Sequence, residues 1–517
     1  MDKQLPPPYV WGAPDHFTSW REGQSEACEL MMSHKPRFTL AVCPTGFGKS
    51  LTYITAALAT GWRTVILTST KGLQAQLIEE FGSIPGVLEI KGRGNYPCRL
   101  NTKVNCDVGL CAFGVQCSFR EEGGCTYYDL VNKAKDPATR ILITNYSYWM
   151  AQNEYSNGLG AWDCLVLDEG HAAVDHVIDH ISVQFNRKGW EGKFVNLDRG
   201  HPQSVGEWKK WAANLIPEVE GEIELAKINK KEKRLVSLNR TAAKLKTIAE
   251  NITPNWIWES NPYQITVSPI WPAPFTEDVL FLEIPKVIIT SATVVRKTAD
   301  LLGVPAADLK VEEFPHSFPV ENRPLIHVPT VRMNYRNGEA EKRIWMSKVD
   351  AIIRPRLGTK GIIHTTSYAR RDTVIRRSKF AGDMVTHERK NTATVVRRFK
   401  AAPPPSILVS PSMVTGWDFP DDECRWQIIL KVPYPDLRGA IIKKRGDGDR
   451  DFVNYQVIQQ LIQSVGRGCR SKTDVCETYI LDNNIVWFMD RNRHLLVDWF
   501  DGAYRVNRRI PEPLTIS

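Results

Sequence analysis

Short apolar runs alternate along the chain with stretches whose apolar residues recur every three or four positions. Arg37 to Cys43 is such a run and predicts a buried strand. Lys49 to Thr60 then follows a helical period, with Gly61 placed to cap its end. Thr64 to Thr68 predicts the next strand and Lys71 to Phe81 the next helix. Strands and helices taking turns in this way predict a parallel sheet wound on both faces. More buried-strand runs come at Arg140 to Thr144, Cys164 to Leu167 and Val287 to Thr290. The alternation returns at Gly361 to His364, Ile407 to Val409, Gln427 to Leu430 and Thr478 to Leu481, with a helical run at Tyr455 to Val465.

The expected fold class is therefore α/β: two doubly wound parallel-sheet domains, residues 1–300 and 301–517, with the Pro-rich stretch Pro315 to Pro324 as a linker. Two stretches interrupt the first domain. Residues 92–128 are rich in Cys and Gly, and residues 176–280 form a helical insertion. Within the latter, Glu222 to Asn251 reads as one basic helix, followed by the aromatics Trp256, Trp258, Tyr263 and Trp271. Basic helices and aromatic platforms can grip single strands, although such residues more often coat a solvated face or fill a core.

Composition narrows the picture modestly. The 517 residues are 42% hydrophobic and 24% charged, as in a globular protein. A formal net charge of +9 favours a polyanionic partner. Met1 to Trp11 lacks the apolar core of a signal peptide, and no run is long enough to span a bilayer. The expected setting is a reducing, cytoplasmic compartment without membrane attachment. Eleven cysteines there do not suggest a disulfide framework. Five of them, Cys98, Cys106, Cys111, Cys117 and Cys125, crowd together and ask for a metal.

The segment Cys43-Pro44-Thr45-Gly46-Phe47-Gly48-Lys49-Ser50 lies between a strand and a helix. Gly46 and Gly48 let the backbone curl its N–H groups toward phosphate oxygens. Lys49 can reach the outer phosphates and Ser50 can hold Mg²⁺. Cys43 stands where the strict phosphate-loop pattern has its first glycine. Further on, the strand Leu165-Val166-Leu167 ends in Asp168 and Glu169, a pair suited to a metal-bound carboxylate beside one that orients water. Hydrolysis also needs positive charge where negative charge develops. Arg467 and Arg470, three apart after Gln463, read as neighbours on one helix face, brought from the second domain as arginine fingers.

This series of motifs resembles superfamily 2 helicases, specifically the XPD/DinG branch of iron–sulfur DNA helicases. Gln24 resembles the adenine-reading glutamine, and Thr68 to Gln76 resembles motif Ia, which touches single-stranded DNA. Gly94-Asn95-Tyr96-Pro97-Cys98 resembles the entrance to the cluster domain. Asp168-Glu169-Gly170-His171 resembles the DEAH box with Gly170 in place of Ala. Thr290-Ser291-Ala292-Thr293 resembles motif III and Gly361 to Tyr368 motif IV. Gly416 and Asp418 belong to a motif V in which Thr415 replaces the usual Glu, and Gln463 to Arg470 resembles motif VI. The resemblance implies two RecA-like domains with ATP and Mg²⁺ between them. It assigns nucleotide contacts to Gln24, Thr45, Gly46, Gly48, Lys49, Ser50, Asp168, Gly416, Asp418 and Gln463, and chemistry to Lys49, Asp168, Glu169, Arg467 and Arg470. It also implies a [4Fe–4S] cluster on four of the five clustered cysteines, with Cys98 and Cys125 as the outer ligands. Zinc, or five unliganded thiols, are the alternatives. The expected enzyme is a monomeric ATP-dependent helicase moving 5′-to-3′ on single-stranded and forked DNA. The rivals are an RNA-directed or non-unwinding ATPase of the same fold and a non-hydrolysing DNA-binding module.

Overall fold

The computed structural model describes residues 5–109, 111, 116–156, 158–197, 200–229, 231–411, 417 and 419–515. Strands β1 (Phe38–Val42), β2 (Thr64–Thr68), β3 (Val87–Glu89), β4 (Ile141–Asn145) and β5 (Cys164–Asp168) open the first sheet. After β6 (Val183–Asn186), β7 (Trp256–Ser260) and β8 (Gln264–Pro269) in the insertion, β9 (Lys286–Ser291) and β10 (Leu309–Glu313) complete it. Its order is β10-β1-β9-β5-β2-β4-β3, every pair parallel. Both faces are covered, so alternate residues of one strand enter different cores: Leu40 and Val42 join one cluster, Ala41 the other.

The second sheet is built from β11 (Leu325–Val331), β12 (Lys360–His364), β13 (Met384–Thr386), β14 (Ser406–Ser410), β15 (Trp426–Ile429), β16 (Glu477–Asp482) and β17 (Tyr504–Val506). It runs β13-β14-β12-β15-β16-β11-β17, again all parallel. Inside this domain Arg356 makes a two-pronged ion pair with Glu477 and also donates to the carbonyl of Pro511. The expected α/β class with two doubly wound parallel sheets is what the chain adopts. Because β10 pairs with β1, the first domain extends past residue 300 and the division falls in the segment 314–324.

The insertion differs from its sequence reading in two ways, its helix count and an added sheet, while its charged residues and tryptophans take the commoner of the roles weighed for them. The expected single basic helix is two, Val205–Ile228 and Glu232–Asn251, packed side by side. Four of its cations are paired: Arg234 with Glu222, Lys244 with Glu191, Lys246 with Glu220 and Lys227 with Glu224. The tryptophans are packing groups: Trp256 is buried against Phe275, Trp258 meets Trp208, and Trp271 meets Phe452 of the second domain, whereas Tyr263 stays exposed beside Lys188. Beneath the helices lies a three-stranded antiparallel sheet, β6-β8-β7, absent from the expectation.

The insertion also docks on the second domain. Arg445, on the helix Ala440–Gly448, donates to the carbonyls of Ile270 at 2.7 Å and Pro269 at 3.0 Å. The Glu259 carboxylate accepts from the backbone N–H of Ala440 at the start of that helix. Farther along, Trp499 donates its indole N–H to the carbonyl of Ala292 in the first domain.

Candidate active site

The phosphate loop follows β1. Gly46 and Gly48 both have φ in the left-handed region, 75° and 83°, as the tight turn requires. Lys49 and Ser50 open the helix Lys49–Thr60, and Gly61 closes it in the left-handed conformation. The loop is braced from behind. Gln24 is 2% exposed, its Oε1 accepts from the N–H of Arg21, and its Nε2 donates to the carbonyl of Phe47 at 2.6 Å. The Arg21 guanidinium donates to the carbonyl of Gly46.

Asp168 and Glu169 stand at the end of β5, two strands from the phosphate loop, with β9 between. Glu169 takes a positive φ of 49°, uncommon for a residue with a side chain and a form of strain frequent at functional sites. Lys49 Nζ lies 2.9 Å from Glu169 Oε1. Burial opposes the charge on Glu169, but Lys49 and then His171 outweigh it and bring the carboxyl to about 2. Burial dominates at Asp168, which Lys49 only partly offsets, and its pKa rises to about 7. One oxygen of Asp168 is buried without a hydrogen-bond partner. A buried, unsatisfied carboxylate oxygen fits a divalent cation such as Mg²⁺, for which the phosphate-loop pattern supplies the Ser50 hydroxyl. Gly170 is a packing necessity, because a Cβ there would sit 2.6 Å from Ile289.

The second domain reaches this site through the helix Arg450–Val465. Gln463 hydrogen-bonds His171 Nε2. Burial holds His171 below its ordinary pKa, so its imidazole is neutral. With Nε2 accepting from the Gln463 amide, the proton sits on Nδ1, 2.8 Å from Ser291 Oγ. Ser291 in turn donates to Glu169 Oε2 at 3.1 Å. A directed chain, Gln463 to His171 to Ser291 to Glu169, thus crosses the cleft and ends on the carboxylate. Sequence spacing could not reveal it, because its members come from three separate stretches of the chain. Beside it, Gln459 donates to the carbonyl of Thr293.

The helix ends at Val465, so Arg467 and Arg470 do not share a helix face as expected. They lie on the turn that Gly466 and Gly468 allow. A Cβ at Gly466 would meet Thr45 of the phosphate loop at 2.6 Å, and one at Gly468 would overlap Cys476. That close approach brings the turn against the phosphate loop. Arg467 donates to the carbonyl of Trp417, and the N–H of Arg470 is held by Asp474. Gly416 and Asp418 lie outside the described residues.

The five clustered cysteines are all buried, each at most 6% exposed. Their thiols pair as Cys106 with Cys125 and Cys111 with Cys117, and Cys98 lies close to Cys106 and Cys111. Burial, then the neighbouring thiols, push Cys106 up to about 12. Among the described residues no three His, Cys, Asp or Glu side chains form a group that could hold a metal ion. Tyr127, whose hydroxyl bonds Tyr148 and Gln152, ties this insertion to the first domain.

Among the described residues no helix is long and apolar enough to cross a membrane. Residues 21–188 match the DEAD/DEAH box helicase family and residues 355–502 the helicase C-terminal domain family. No curated protein sequence matches the chain. Two solved structures of XPD, one of them described as the apo form, are 12% identical over 95% and 94% of this chain. They cover 100% and 99% of their own chains, with TM-scores of 0.62 and 0.60. Xpd4 of S. tokodaii, also 12% identical, covers 94% of this chain and 99% of its own with a TM-score of 0.57. At that identity the likeness concerns the fold; the two helicase families, matched in order on that fold, carry the assignment. The chain joins a DEAD/DEAH box helicase domain to a helicase C-terminal domain on a fold like that of XPD, and is an ATP-dependent helicase-type enzyme acting on nucleic acid.

Proposed function

We propose that this enzyme couples ATP hydrolysis to 5′-to-3′ movement on single-stranded DNA and to separation of forked duplexes. The observation that carries the reading is the hydrogen-bond chain from Gln463 to Glu169, because it gives the second domain a direct hold on the hydrolytic carboxylate. Lys49 and the loop N–H groups bind the phosphates, and Ser50 and Asp168 would hold Mg²⁺, which would neutralise phosphate charge. Glu169, kept ionised by Lys49, orients the attacking water. Arg467 and Arg470 approach the γ-phosphate from the far side of the cleft and meet the charge that develops there. Loss of the γ-phosphate releases these contacts, the cleft opens, and the two domains shift along the strand in turn.

In this reading four of Cys98, Cys106, Cys111, Cys117 and Cys125 would hold a [4Fe–4S] cluster once drawn together, since as they stand no three of the described side chains form a metal-holding group. Its support is a set of five buried thiols in one short insertion, with Cys106 beside Cys125 and Cys111 beside Cys117. A bound cluster would act as a staple for the insertion, near the point of strand separation. Zinc is the competing occupant.

The test is ATP turnover by protein purified without oxygen, measured alone, with single-stranded DNA and with single-stranded RNA, alongside iron, sulfide and zinc analysis. Stimulation by DNA and stoichiometric iron with sulfide are expected. Stimulation by RNA alone would refute the DNA reading, and zinc in place of iron would refute the cluster.

A further inference from the structure

One fully buried side chain beside the hydrolytic carboxylates takes no part in bracing the phosphate loop. Tyr53 lies on the helix Lys49–Thr60, three residues past Ser50 and four past Lys49, so it shares a helix face with both. Its ring is 0% exposed, and its hydroxyl is buried without a hydrogen-bond partner. One oxygen of Asp168 is sealed in the same way. The two groups face each other at the end of β5, with the Ser50 hydroxyl beside them. The surroundings are fixed: Tyr146 donates to the backbone carbonyl of Asp168 at 3.0 Å, and Lys49 is held 2.9 Å from Glu169.

Buried tyrosine hydroxyls usually have a partner, and one left without costs about 1–3 kcal/mol. A phenylalanine at this position would fill the same space and avoid that cost, so packing gives no reason for the oxygen. Metal coordination gives one. A carboxylate that meets a cation through one oxygen has lone pairs left on the other, and a donor on those fixes the direction of the group. A phenol suits that task, because its ring is rigid, its hydroxyl turns freely and it adds no charge beside the cation. Its oxygen can at the same time accept from the Ser50 hydroxyl, which turns that proton away from the cleft and leaves the Ser50 lone pairs for the metal.

We propose that Tyr53 is a positioning residue for the divalent cation, its hydroxyl accepting from Ser50 and donating to Asp168 so that both metal ligands are aimed at one point. The inference rests on the Mg²⁺ site proposed above and deepens it. Tyr53 touches neither the cation nor the nucleotide and acts only through the two ligands, as its sealed position requires. Neither the Tyr53 hydroxyl nor the sealed Asp168 oxygen has another partner to give up, so nothing opposes closing this short relay.

Two titrations of the full chain, wild type and Tyr53→Phe, test this. Electron paramagnetic resonance follows Mn²⁺ binding to the protein saturated with ADP, and calorimetry measures ADP affinity in EDTA, with no cation present. Tyr53→Phe keeps the ring and removes only the hydroxyl. Mn²⁺ affinity should fall about tenfold, as when a partner that orients a metal ligand is lost. ADP affinity in EDTA should be unchanged, because Lys49 and the loop N–H groups are untouched. Equal Mn²⁺ affinity in the two proteins overturns the proposal. A matching loss of ADP affinity in EDTA overturns it too, since Tyr53 would then be a packing residue of the loop. Failure of the wild type itself to bind Mn²⁺ in its ADP complex would instead overturn the metal site at Ser50 and Asp168, a distinguishable result.

Discussion

Arg445→Met asks what holds the insertion against the second domain. Arg445 is 6% exposed, donates to two carbonyls of the insertion, and lies near Asp175 and Asp179. Methionine keeps an apolar stem over Phe452 but removes both hydrogen bonds and the charge. Hydrogen bonds from a charged donor contribute about 1.5–3 kcal/mol each. Two of them amount to about 3–6 kcal/mol, and water entering at the domain border recovers part of this. The expected net loss is about 3 kcal/mol, which corresponds to roughly two orders of magnitude in the undocking equilibrium. Amide hydrogen exchange measures it. Amides of the helix Ala440–Gly448 and of β7 and β8 should exchange up to about a hundredfold faster, while those of β1, β5 and β9 stay unchanged. Arg445→Lys should show an intermediate effect, because an ammonium has no planar fork to span both carbonyls. Unchanged protection of β7 and β8 in Arg445→Met would refute the reasoning and leave the Glu259 and Trp271 contacts as the real attachment.

Four further outcomes are expected. Lys49→Ala should abolish ATP turnover while single-strand binding persists; turnover at the wild-type rate would remove the phosphate-loop assignment. Arg470→Ala should slow hydrolysis on the order of a thousandfold with little change in nucleotide affinity, and the reverse pattern would contradict its role as an arginine finger. Cys98→Ser or Cys125→Ser should bleach anaerobically purified protein and strip its iron, leaving part of the ATPase activity; a variant that keeps full iron has lost no ligand. Glu313 is raised to about 7 by burial and then by Asp498, so folding favours its protonated form. Its destabilising effect is absent below the unfolded value near 4.5 and grows as pH rises toward 7. Partial exposure reduces the full shift to about 1 kcal/mol, so Glu313→Gln should stabilise the protein by about that amount at pH 8 and not at pH 4 in urea melts.

What could be read without coordinates was local and periodic. The strands β1 and β2 and the helices Lys49–Thr60 and Lys71–Phe81 follow from apolar period and from Gly61, because each is buried on a predictable face. The edge strand β10 escaped notice because Lys310, Val311 and Glu312 are exposed and its sequence shows no buried run. The two insertion helices merged into one, since a turn between charged residues leaves no apolar gap. The charge of those helices read as a nucleic-acid surface, whereas its glutamate partners are tertiary neighbours. In the active site the residue types were legible from motif chemistry. The linkage from Gln463 to Glu169, the turn that carries Arg467 and Arg470, and the enclosure of Gln24 are set by how the two domains meet.

Trp499 gives the joint between the domains a mechanical character. The chain crosses once, through residues 314–324, and beside that crossing Trp499 makes one of the non-covalent attachments between the domains, through Ala292. These attachments are neighbours: Arg323 of the linker donates to the carbonyl of Trp499, and His316 packs against its indole. Two adjacent anchor points define an axis. Rotation about that axis can widen the far side of the cleft, but twisting or sliding would have to tear the Trp499 contact away. Opening about that axis has to break the Arg445, Glu259 and Gln463 contacts between the domains.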